Sequence, residues 1–196
     1  QRQRLTWQLL LPRFRFSAVQ LCYFPRLIHK FLPAPSSITY RDRSFLIMDR
    51  PSDANVDKFV AECRNHGVSD VVRVCESSYS TEPLEKAAIQ VHDLPYPDGD
   101  PPPPDIVHSW LTLLRERWAV RPDACIAIHC IAGLGRAPVM VAIALMELGS
   151  TYDEAVQLIR AKRRGAINKK QLDYLSLYRA KGKLKPRRGV KCNLLS

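Results

Sequence analysis

The stretch HCIAGLGR, His129–Arg136, joins a short apolar run, ACIAIH, to a longer and almost wholly apolar one, APVMVAIALMEL. A short apolar run, a glycine-rich turn and a long apolar run predict a buried strand, a loop and a central helix. Gly133 and Gly135 allow backbone N–H groups to turn inward, and the start of the helix adds positive potential. The sequence therefore predicts an anion-binding loop at this junction.

Cys130 and Arg136 stand at the two ends of that loop. The fork of N–H donors on an arginine grips two oxygens of one phosphate. The same positive field favours the thiolate of Cys130, which is its nucleophilic form. A Cys and an Arg at this spacing often occur together by chance, but the strand before them and the buried helix after them make a purely structural cysteine a poor explanation. The pattern predicts phosphoryl transfer to Cys130.

Transfer to a thiolate also needs an acid that protonates the departing oxygen. The proline-rich stretch 94–104 forms neither a helix nor a central strand, so we expect a loop there, called the acid loop below. The candidate acids at this loop are Asp93, Asp98 and Asp100. Asp98 is favoured because it lies in Tyr-Pro-Asp-Gly, which proline stiffens and glycine hinges; a solvated turn aspartate is the alternative.

Elsewhere, predicted strands alternate with predicted helices. Strands are expected over 38–40, 44–48, 68–75, 89–92 and 124–129. Helices are expected over 103–118 and 137–148, with further capped starts at Ser52 or Asp53, at Thr151 and at Asn168. This alternation predicts an α/β fold with a mostly parallel central sheet flanked by helices.

The 196 residues carry a net charge of +11, and the excess is confined to the two ends. Residues 1–33 are +6, residues 34–159 are −7 and residues 160–196 are +12. Basic ends on an acidic body favour attraction to an anionic membrane or an acidic partner. Nucleic-acid binding by the tail is disfavoured, since residues 181–191 contain no aromatic side chain on which a base could stack. No apolar run reaches the roughly 18–20 residues that span a bilayer.

We expect three regions: a basic, unstructured extension over 1–33, one domain over 34–180 and a polybasic tail over 181–196. The first thirty residues are acid-free and arginine-rich like a mitochondrial presequence, but two prolines interrupt that helix, so organelle targeting is the second explanation. The six cysteines form no disulfide framework and offer no zinc spacing. A reducing, cytoplasmic setting is expected, with no metal and no other cofactor.

Five segments carry a resemblance to a known family: LPAPSSITY (32–40), RPSD (50–53), VVRVCE (71–76), HCIAGLGRAPVMVAIALMELG (129–149) and RRGAINKKQLDYL (163–175). They resemble the phosphatases of regenerating liver, the PRL or protein tyrosine phosphatase type IVA family, from about residue 32 to residue 185. The resemblance implies a compact dual-specificity phosphatase fold. It implies that Cys130 is the nucleophile, Arg136 the phosphate-binding arginine and Asp98 the general acid. The phosphate-binding loop is then Cys130, Ile131, Ala132, Gly133, Leu134, Gly135 and Arg136.

The resemblance also implies features of the mechanism. Ala137 stands where most cysteine phosphatases have a serine or threonine that helps the cysteine to leave, so we expect a long-lived phosphocysteine and slow turnover. Cys75 matches the cysteine that forms a reversible disulfide with the nucleophile Cys130 in this family; from the residues alone, an inert buried thiol is the alternative. His129 is expected to orient the loop. Gln171 is expected either to place the hydrolytic water or to cap its helix.

The expected activity is hydrolysis of phosphotyrosine in proteins, with phosphoinositides as less favoured substrates. The alternative is a binding module whose pocket grips an acidic group of a partner, and the resemblance implies a CNNM-type magnesium transport protein as that partner. It further implies a homotrimer and location at the inner face of the plasma membrane or of endosomes, with a nuclear fraction. Low-molecular-weight phosphatases are disfavoured, because they carry their cysteine loop near the N-terminus and the acid after it. Rhodanese-like proteins are a further class with a cysteine in an anion-binding loop, and the order of loop and acid along the chain does not bear on them.

Three positions depart from the family pattern. Leu94 stands where the family has a tryptophan before the proline of the acid loop, and Pro97 replaces a frequent aspartate, so we expect the loop to close at a different rate. Cys192 is followed by four residues and misses the prenylation box by one place. The basic residues before it match the family's polybasic segment, which alone gives weak, salt-sensitive attraction to membranes. They are Lys181, Lys183, Lys185, Arg187, Arg188 and Lys191.

Overall fold

A computed structural model describes residues 34–185 of the chain. Within that range five strands form one sheet: β1 (Ser36–Tyr40), β2 (Arg43–Met48), β3 (Val68–Arg73), β4 (Gln90–Asp93) and β5 (Cys125–His129). The same range contains the helices α1 (Val56–Asn65), α2 (Glu82–Lys86), α3 (Pro104–Val120), α4 (Arg136–Leu148), α5 (Tyr152–Lys162) and α6 (Lys169–Leu177). The predicted extension over 1–33 and the part of the predicted tail beyond residue 185, with Cys192, lie outside the described residues.

The strands lie in the order β1-β2-β5-β3-β4. β1 and β2 form an antiparallel hairpin, and every other neighbouring pair is parallel, so the predicted mostly parallel sheet is confirmed. β5 lies in the centre, and all of its residues are buried. That position explains its continuous apolar sequence, because a strand covered on both faces has no polar side. The carboxyl ends of β2, β3 and β5 open onto one edge, where sites of parallel sheets are found.

α4 is buried over all thirteen of its residues. It packs against β2 and β5 on the sheet and against α3, α5 and α6. A helix that is apolar all round is stable only when neighbours surround it. The contacts with these neighbours fix the N-terminus of α4 at the end of β5. None of the helices within residues 34–185 is long and apolar enough to cross a membrane.

The structure corrects several local predictions. The first helix begins at Val56 after Asn55, so the expected N-cap at Ser52 or Asp53 is wrong; the Asn55 side chain instead accepts a hydrogen bond from the Ser52 N–H at 2.7 Å. α2 was not predicted, because its five residues are too short to show a helical period. The third strand ends at Arg73 rather than at residue 75.

The C-terminal end of the described chain packs against α4. Glu147 is fully buried and accepts hydrogen bonds from the Tyr178 hydroxyl at 2.7 Å and from the backbone N–H groups of Lys181 and Lys183 at 3.1 and 2.7 Å. Leu184 is buried as well. Two backbone N–H groups and the Leu184 side chain thus hold residues 181–184, at the start of the predicted tail, against the body.

Candidate active site

The predicted loop connects β5 to α4 as expected, and its two end residues are buried. Cys130 follows β5 directly and is 3% exposed, and Arg136 is the first residue of α4. The loop lies at the carboxyl end of the central strand, next to the ends of β2 and β3. The fold thus brings the thiol and the guanidinium to the carboxyl edge of the sheet, where sites of parallel sheets are found.

Five consecutive carbonyls of the loop are hydrogen-bonded to donors outside it. The carbonyl of Cys130 accepts from His129 Nδ1 (3.2 Å), that of Ile131 from the Arg50 N–H (3.0 Å), that of Ala132 from Arg163 Nη2 (3.1 Å), that of Gly133 from Arg163 Nε (2.6 Å) and that of Leu134 from the Ile167 N–H (2.7 Å). In a planar trans peptide the following N–H points opposite to the carbonyl. The N–H groups of residues 131–135 are therefore turned away from these donors and are available to an oxyanion.

Gly133 is required by the space around it as well as by its backbone. Its φ is +62°, and a Cβ built there would lie 2.4 Å from Arg163 Nη2 and 2.5 Å from the carbonyl oxygen of Met48. At Gly135 a Cβ would lie 3.4 Å from Gln171 Nε2. The glycine-rich sequence therefore lets the loop approach its neighbours closely, in addition to allowing the turn.

Asp98 is the predicted acid that the structure places beside the loop arginine. Its Oδ1 lies 3.1 Å from Arg136 Nε, and its side chain is 53% exposed. Arg136 Nη1 also donates to the carbonyl of Tyr96 at 3.0 Å, and the Tyr96 hydroxyl donates to the carbonyl of Arg136 at 2.8 Å. Of the other two candidates, Asp93 forms a bidentate ion pair with Arg73, and Asp100 pairs with Lys170. The acid loop thus lies over Arg136, and of the three candidate acids Asp98 is the one that contacts this arginine.

The N-terminus of α6 holds this acid loop in place. Asn168 Nδ2 donates to the carbonyl of Gly99 at 3.0 Å, and Lys170 Nζ lies 2.6 Å from Asp100 Oδ1. Gln171 is fully buried, and its Nε2 donates to the carbonyl of Asp100 at 3.1 Å. The capping box of Asn168 and Gln171 is confirmed. Placement of the hydrolytic water by Gln171 stays a prediction.

His129 is fully buried behind the loop. Because the Cys130 carbonyl can only accept, His129 Nδ1 carries the hydrogen, and Nε2 of the neutral ring accepts from the Tyr79 hydroxyl at 2.8 Å. Burial lowers the pKa of His129 to about 4, so the ring is neutral at pH 7. Arg73 holds Tyr79 in turn, through its carbonyl at 3.3 Å and over its ring at 5.0 Å. The sequence did not identify Tyr79, because nothing local marks a tyrosine fifty residues from its partner.

Cys75 is buried just beyond β3, the neighbour of β5. Burial raises the pKa of the Cys75 thiol to about 11; the charge of Arg136 opposes the rise and that of Cys130 adds to it. The Val74 N–H, next to Cys75, donates to the carbonyl of His129, next to Cys130, at 3.0 Å, so Cys75 lies close to the start of the loop. Both Cys75 and Cys130 are free thiols here. Ala137 is fully buried in the first turn of α4, as its place after Arg136 predicts.

Arg163 is the supporting residue whose position no sequence pattern indicated. It belongs to a basic run that is typical of a solvated surface, yet its side chain is fully buried beneath the loop. Only contacts between distant segments distinguish it from its exposed neighbour Arg164. Within residues 34–185, no group of three or more His, Cys, Asp or Glu side chains is arranged to hold a metal ion.

Comparison with known proteins places the chain among named phosphatases. It is 50% identical to the PRL-1 phosphatase of Drosophila melanogaster over 159 residues, which make up 81% of this chain and 90% of that protein. It is 51% identical to protein tyrosine phosphatase type IVA 2 of Mus musculus over 153 residues, 78% of this chain and 92% of that protein. No family model matches the chain.

Solved structures agree with the sequence relatives. The "Protein Tyrosine Phosphatase (putative)" of Leishmania major matches with a TM-score of 0.67 at 38% identity, covering 74% of this chain and 98% of that one. The kinase associated phosphatase matches with a TM-score of 0.59 at 22% identity, which bears on the fold alone. The predicted α/β dual-specificity phosphatase fold is confirmed. The chain belongs to the PRL, or protein tyrosine phosphatase type IVA, family, and it is a protein-tyrosine phosphatase.

Proposed function

We propose that the chain hydrolyses phosphotyrosine in proteins through a phosphocysteine formed on Cys130, with Arg136 binding the phosphate and Asp98 acting as general acid. The observation that carries this proposal is the set of five outward-bonded loop carbonyls, which leaves the N–H groups of residues 131–135 for the phosphate oxygens. Preorganised donors of this kind stabilise charge that develops on the oxygens of a transferring group.

The proposed reaction has two steps. The Cys130 thiolate attacks phosphorus, the bond from phosphorus to the tyrosine oxygen breaks, and protonated Asp98 gives its proton to that oxygen. A water molecule then attacks the phosphocysteine, Asp98 takes a proton from the water, and the phosphorus–sulfur bond breaks to release phosphate and the thiolate. Arg136 turns from Asp98 towards the phosphate oxygens during the first step.

The second step is the slow one in this proposal, since Ala137 offers no hydroxyl to the departing sulfur. A rapid-quench experiment with an aryl phosphate, following phenol release and phosphocysteine together, tests it. We expect a stoichiometric burst followed by slow turnover, and no burst from Cys130→Ser. A fast linear rate contradicts the role given to Ala137, and the absence of both burst and phosphocysteine contradicts the catalytic proposal.

We further propose that Cys75 and Cys130 form a reversible disulfide. Both thiols are buried just beyond the ends of adjacent strands, and the preceding residues of the two strands are joined by the hydrogen bond from the Val74 N–H to the His129 carbonyl at 3.0 Å. In the proposed reaction, hydrogen peroxide takes two electrons and two protons from the thiols and becomes two water molecules. Peroxide treatment should lower the mass by two hydrogens and abolish activity until dithiothreitol is added. Cys75→Ser should instead accumulate higher oxides of Cys130, and an identical response of that variant contradicts the pairing.

A second candidate function is regulation of a membrane partner, such as a CNNM-type magnesium transporter, with incidental catalysis. One observation favours it: Ile131 exposes 43% of its surface next to the nucleophile, an apolar contact for a protein partner. Affinity measured with Cys130→Ser and Cys130→Asp discriminates, because a binding pocket for an acidic group tolerates the first change and loses affinity with the second. Equal affinity in both variants contradicts this candidate.

Membrane association, at the plasma membrane or endosomes, is the proposed location, with a homotrimer and a nuclear fraction as related proposals. Three lysines of the basic segment, Lys181, Lys183 and Lys185, lie among the described residues at its beginning. The chain should sediment with phosphatidylserine vesicles at low salt and stay in the supernatant at high salt. Retention by neutral vesicles, or at high salt, contradicts attraction by charge alone.

A further inference from the structure

The buried guanidinium of Arg163 connects the phosphate-binding loop to the hairpin. Nε and Nη2 donate to the carbonyls of Gly133 and Ala132 at 2.6 and 3.1 Å. On its other side, Nη1 lies within hydrogen-bonding distance of the Ala34 carbonyl (3.1 Å), the Ser36 hydroxyl (3.2 Å) and the Ile47 carbonyl (3.2 Å). One planar group therefore spans the loop, the start of β1 and the end of β2.

Among the described residues, this buried cation has no ion-pair partner. Within residues 34–185 no carboxylate oxygen lies within 4.0 Å of the guanidinium. Burial lowers the pKa of Arg163, and the charges of Asp49 and Cys130 oppose that change. A buried charge is costly unless hydrogen bonds satisfy it, and here carbonyl dipoles do so. Two of those dipoles belong to the loop that follows Cys130.

The loop carbonyls that Arg163 binds determine where two amides point. The peptide that carries the Ala132 carbonyl also carries the N–H of Gly133, and the peptide of the Gly133 carbonyl carries the N–H of Leu134. We propose that Arg163 is a positioning residue that holds the Gly133 and Leu134 amides towards the bound phosphate. This inference rests on the phosphate-binding role of the loop proposed above.

The geometry requires an arginine at this place. A lysine preserves the charge but offers one compact ammonium, whereas the two bonds to adjacent carbonyls come from two nitrogens of a rigid fork. The space at Gly133 fits the same interpretation, because a Cβ there would meet Arg163 Nη2 at 2.4 Å. The positioning role therefore predicts that Arg163→Lys harms phosphate binding even where the fold survives.

The test is a titration of the ¹⁵N-labelled full chain with inorganic phosphate, followed through the amide signals of Gly133 and Leu134. In the parent protein both signals should move on phosphate binding. In Arg163→Lys their movement should shrink, the Kd for phosphate should rise about 10-fold or more, and kcat/KM per folded molecule should fall about 100-fold. Arg117→Lys is the matched control, because Arg117 lies 2.7 Å from the buried carboxylate of Asp70 at the β3–β4 edge. It should lower the Tm and leave both amide responses unchanged.

The possible results distinguish a failure of this inference from a failure of the proposed phosphate-binding function on which it rests. If the parent amides ignore phosphate, the phosphate-binding role of the loop is wrong. If the parent amides respond and those of Arg163→Lys respond equally, the positioning role is wrong. Arg163→Gln provides a second variant should Arg163→Lys fail to fold, since a carboxamide has one NH₂ group in place of the two nitrogens that bind the Gly133 and Ala132 carbonyls. It should weaken phosphate binding by a similar factor and shift the same two amides; unchanged values overturn the inference.

Discussion

Gln171 Nε2 donates to the carbonyl of Asp100 over 3.1 Å, across 71 positions of sequence. Its Oε1 accepts at the same time from the N–H of Asn168, the N-cap of α6. One side chain therefore completes a helix cap and fastens the acid loop. The position of Asp98 over Arg136 depends on α6 through this amide as well as on the loop's own prolines.

Gln171→Leu should misplace Asp98, the proposed general acid. Without the side-chain amide the acid loop loses a buried contact, and a displacement of about 1 Å in a catalytic group costs on the order of 100-fold in rate. We expect kcat/KM to fall about 10- to 100-fold for aryl phosphates with poor leaving groups. Activated aryl phosphates should change much less, because their oxygen leaves without a proton. A series of substituted phenyl phosphates measures this as a steeper dependence on the leaving group.

Lys169→Ala is the control on the same turn of α6. Within residues 34–185, the ion pair of Lys169 is with Asp173 on the exposed surface, at 3.2 Å. It should leave the dependence on the leaving group unchanged. An equal loss for good and poor leaving groups in Gln171→Leu would show that the amide serves binding rather than protonation.

Gly133→Ala should abolish phosphate binding, and Gly165→Ala should not. Both glycines have positive φ, +62° and +80°, so an alanine is strained at either place. At Gly165 a Cβ would meet nothing within 4 Å, whereas at Gly133 it would collide with Arg163 and with the Met48 carbonyl. Isothermal titration with vanadate should give no binding for the first variant and near-parental binding for the second. Equal effects would mean that backbone strain, rather than space, dominates.

Stability should fall as the pH drops from about 6.5 to about 4, because of His129. Burial lowers its pKa from 6.5 to about 4, so in this window the unfolded state binds a proton that the folded state refuses. The loss should reach about 3 kcal/mol near pH 4, at about 1.4 kcal/mol per pKa unit. Urea unfolding at several pH values measures it. His129→Gln should flatten this part of the curve, and a slope identical to the parent's contradicts the assignment to His129.

Glu147→Gln should loosen the chain after Tyr178. The carboxylate accepts from three donors, the Tyr178 hydroxyl and the N–H groups of Lys181 and Lys183, whereas a carboxamide turns an N–H₂ towards some of them. Leaving buried donors unsatisfied costs about 1–3 kcal/mol. Hydrogen exchange at residues 181–183 should accelerate and trypsin should cut there first. Tyr178→Phe removes one donor only and should show a smaller effect; protection that stays unchanged in Glu147→Gln contradicts the anchoring role.

The sequence predicted those parts of the fold and site that local patterns encode. The apolar runs of β5 and α4 and the glycines between them identify the loop, since period and turn chemistry are local properties. The capping boxes at Thr151 and Asn168 are confirmed for the same reason. Asp98 was favoured over its neighbours on turn chemistry, and the structure places its carboxylate beside Arg136.

The supporting residues were beyond local patterns. Arg163 and Tyr79 look like ordinary surface or core residues in sequence, and their roles exist only through contacts 30 and 50 positions away. Glu147 lies one residue before the end of an apolar helix and would be expected to reach water, yet the returning chain buries it. Sequence patterns therefore identified the groups that we propose to contact the substrate better than the residues that hold those groups in place.

The burial of α4 has a consequence for the direction from which a substrate reaches the loop at Cys130. Arg136 and Glu147 are the first and twelfth residues of this one helix, so the arginine and the anchor of residues 181–183 are about 17 Å apart along its axis. The helix is enclosed on all sides and acts as a rigid spacer. Any surface that captures the lysines beginning at Lys181 would thereby also set the distance and the angle from which a phosphoprotein must approach Cys130.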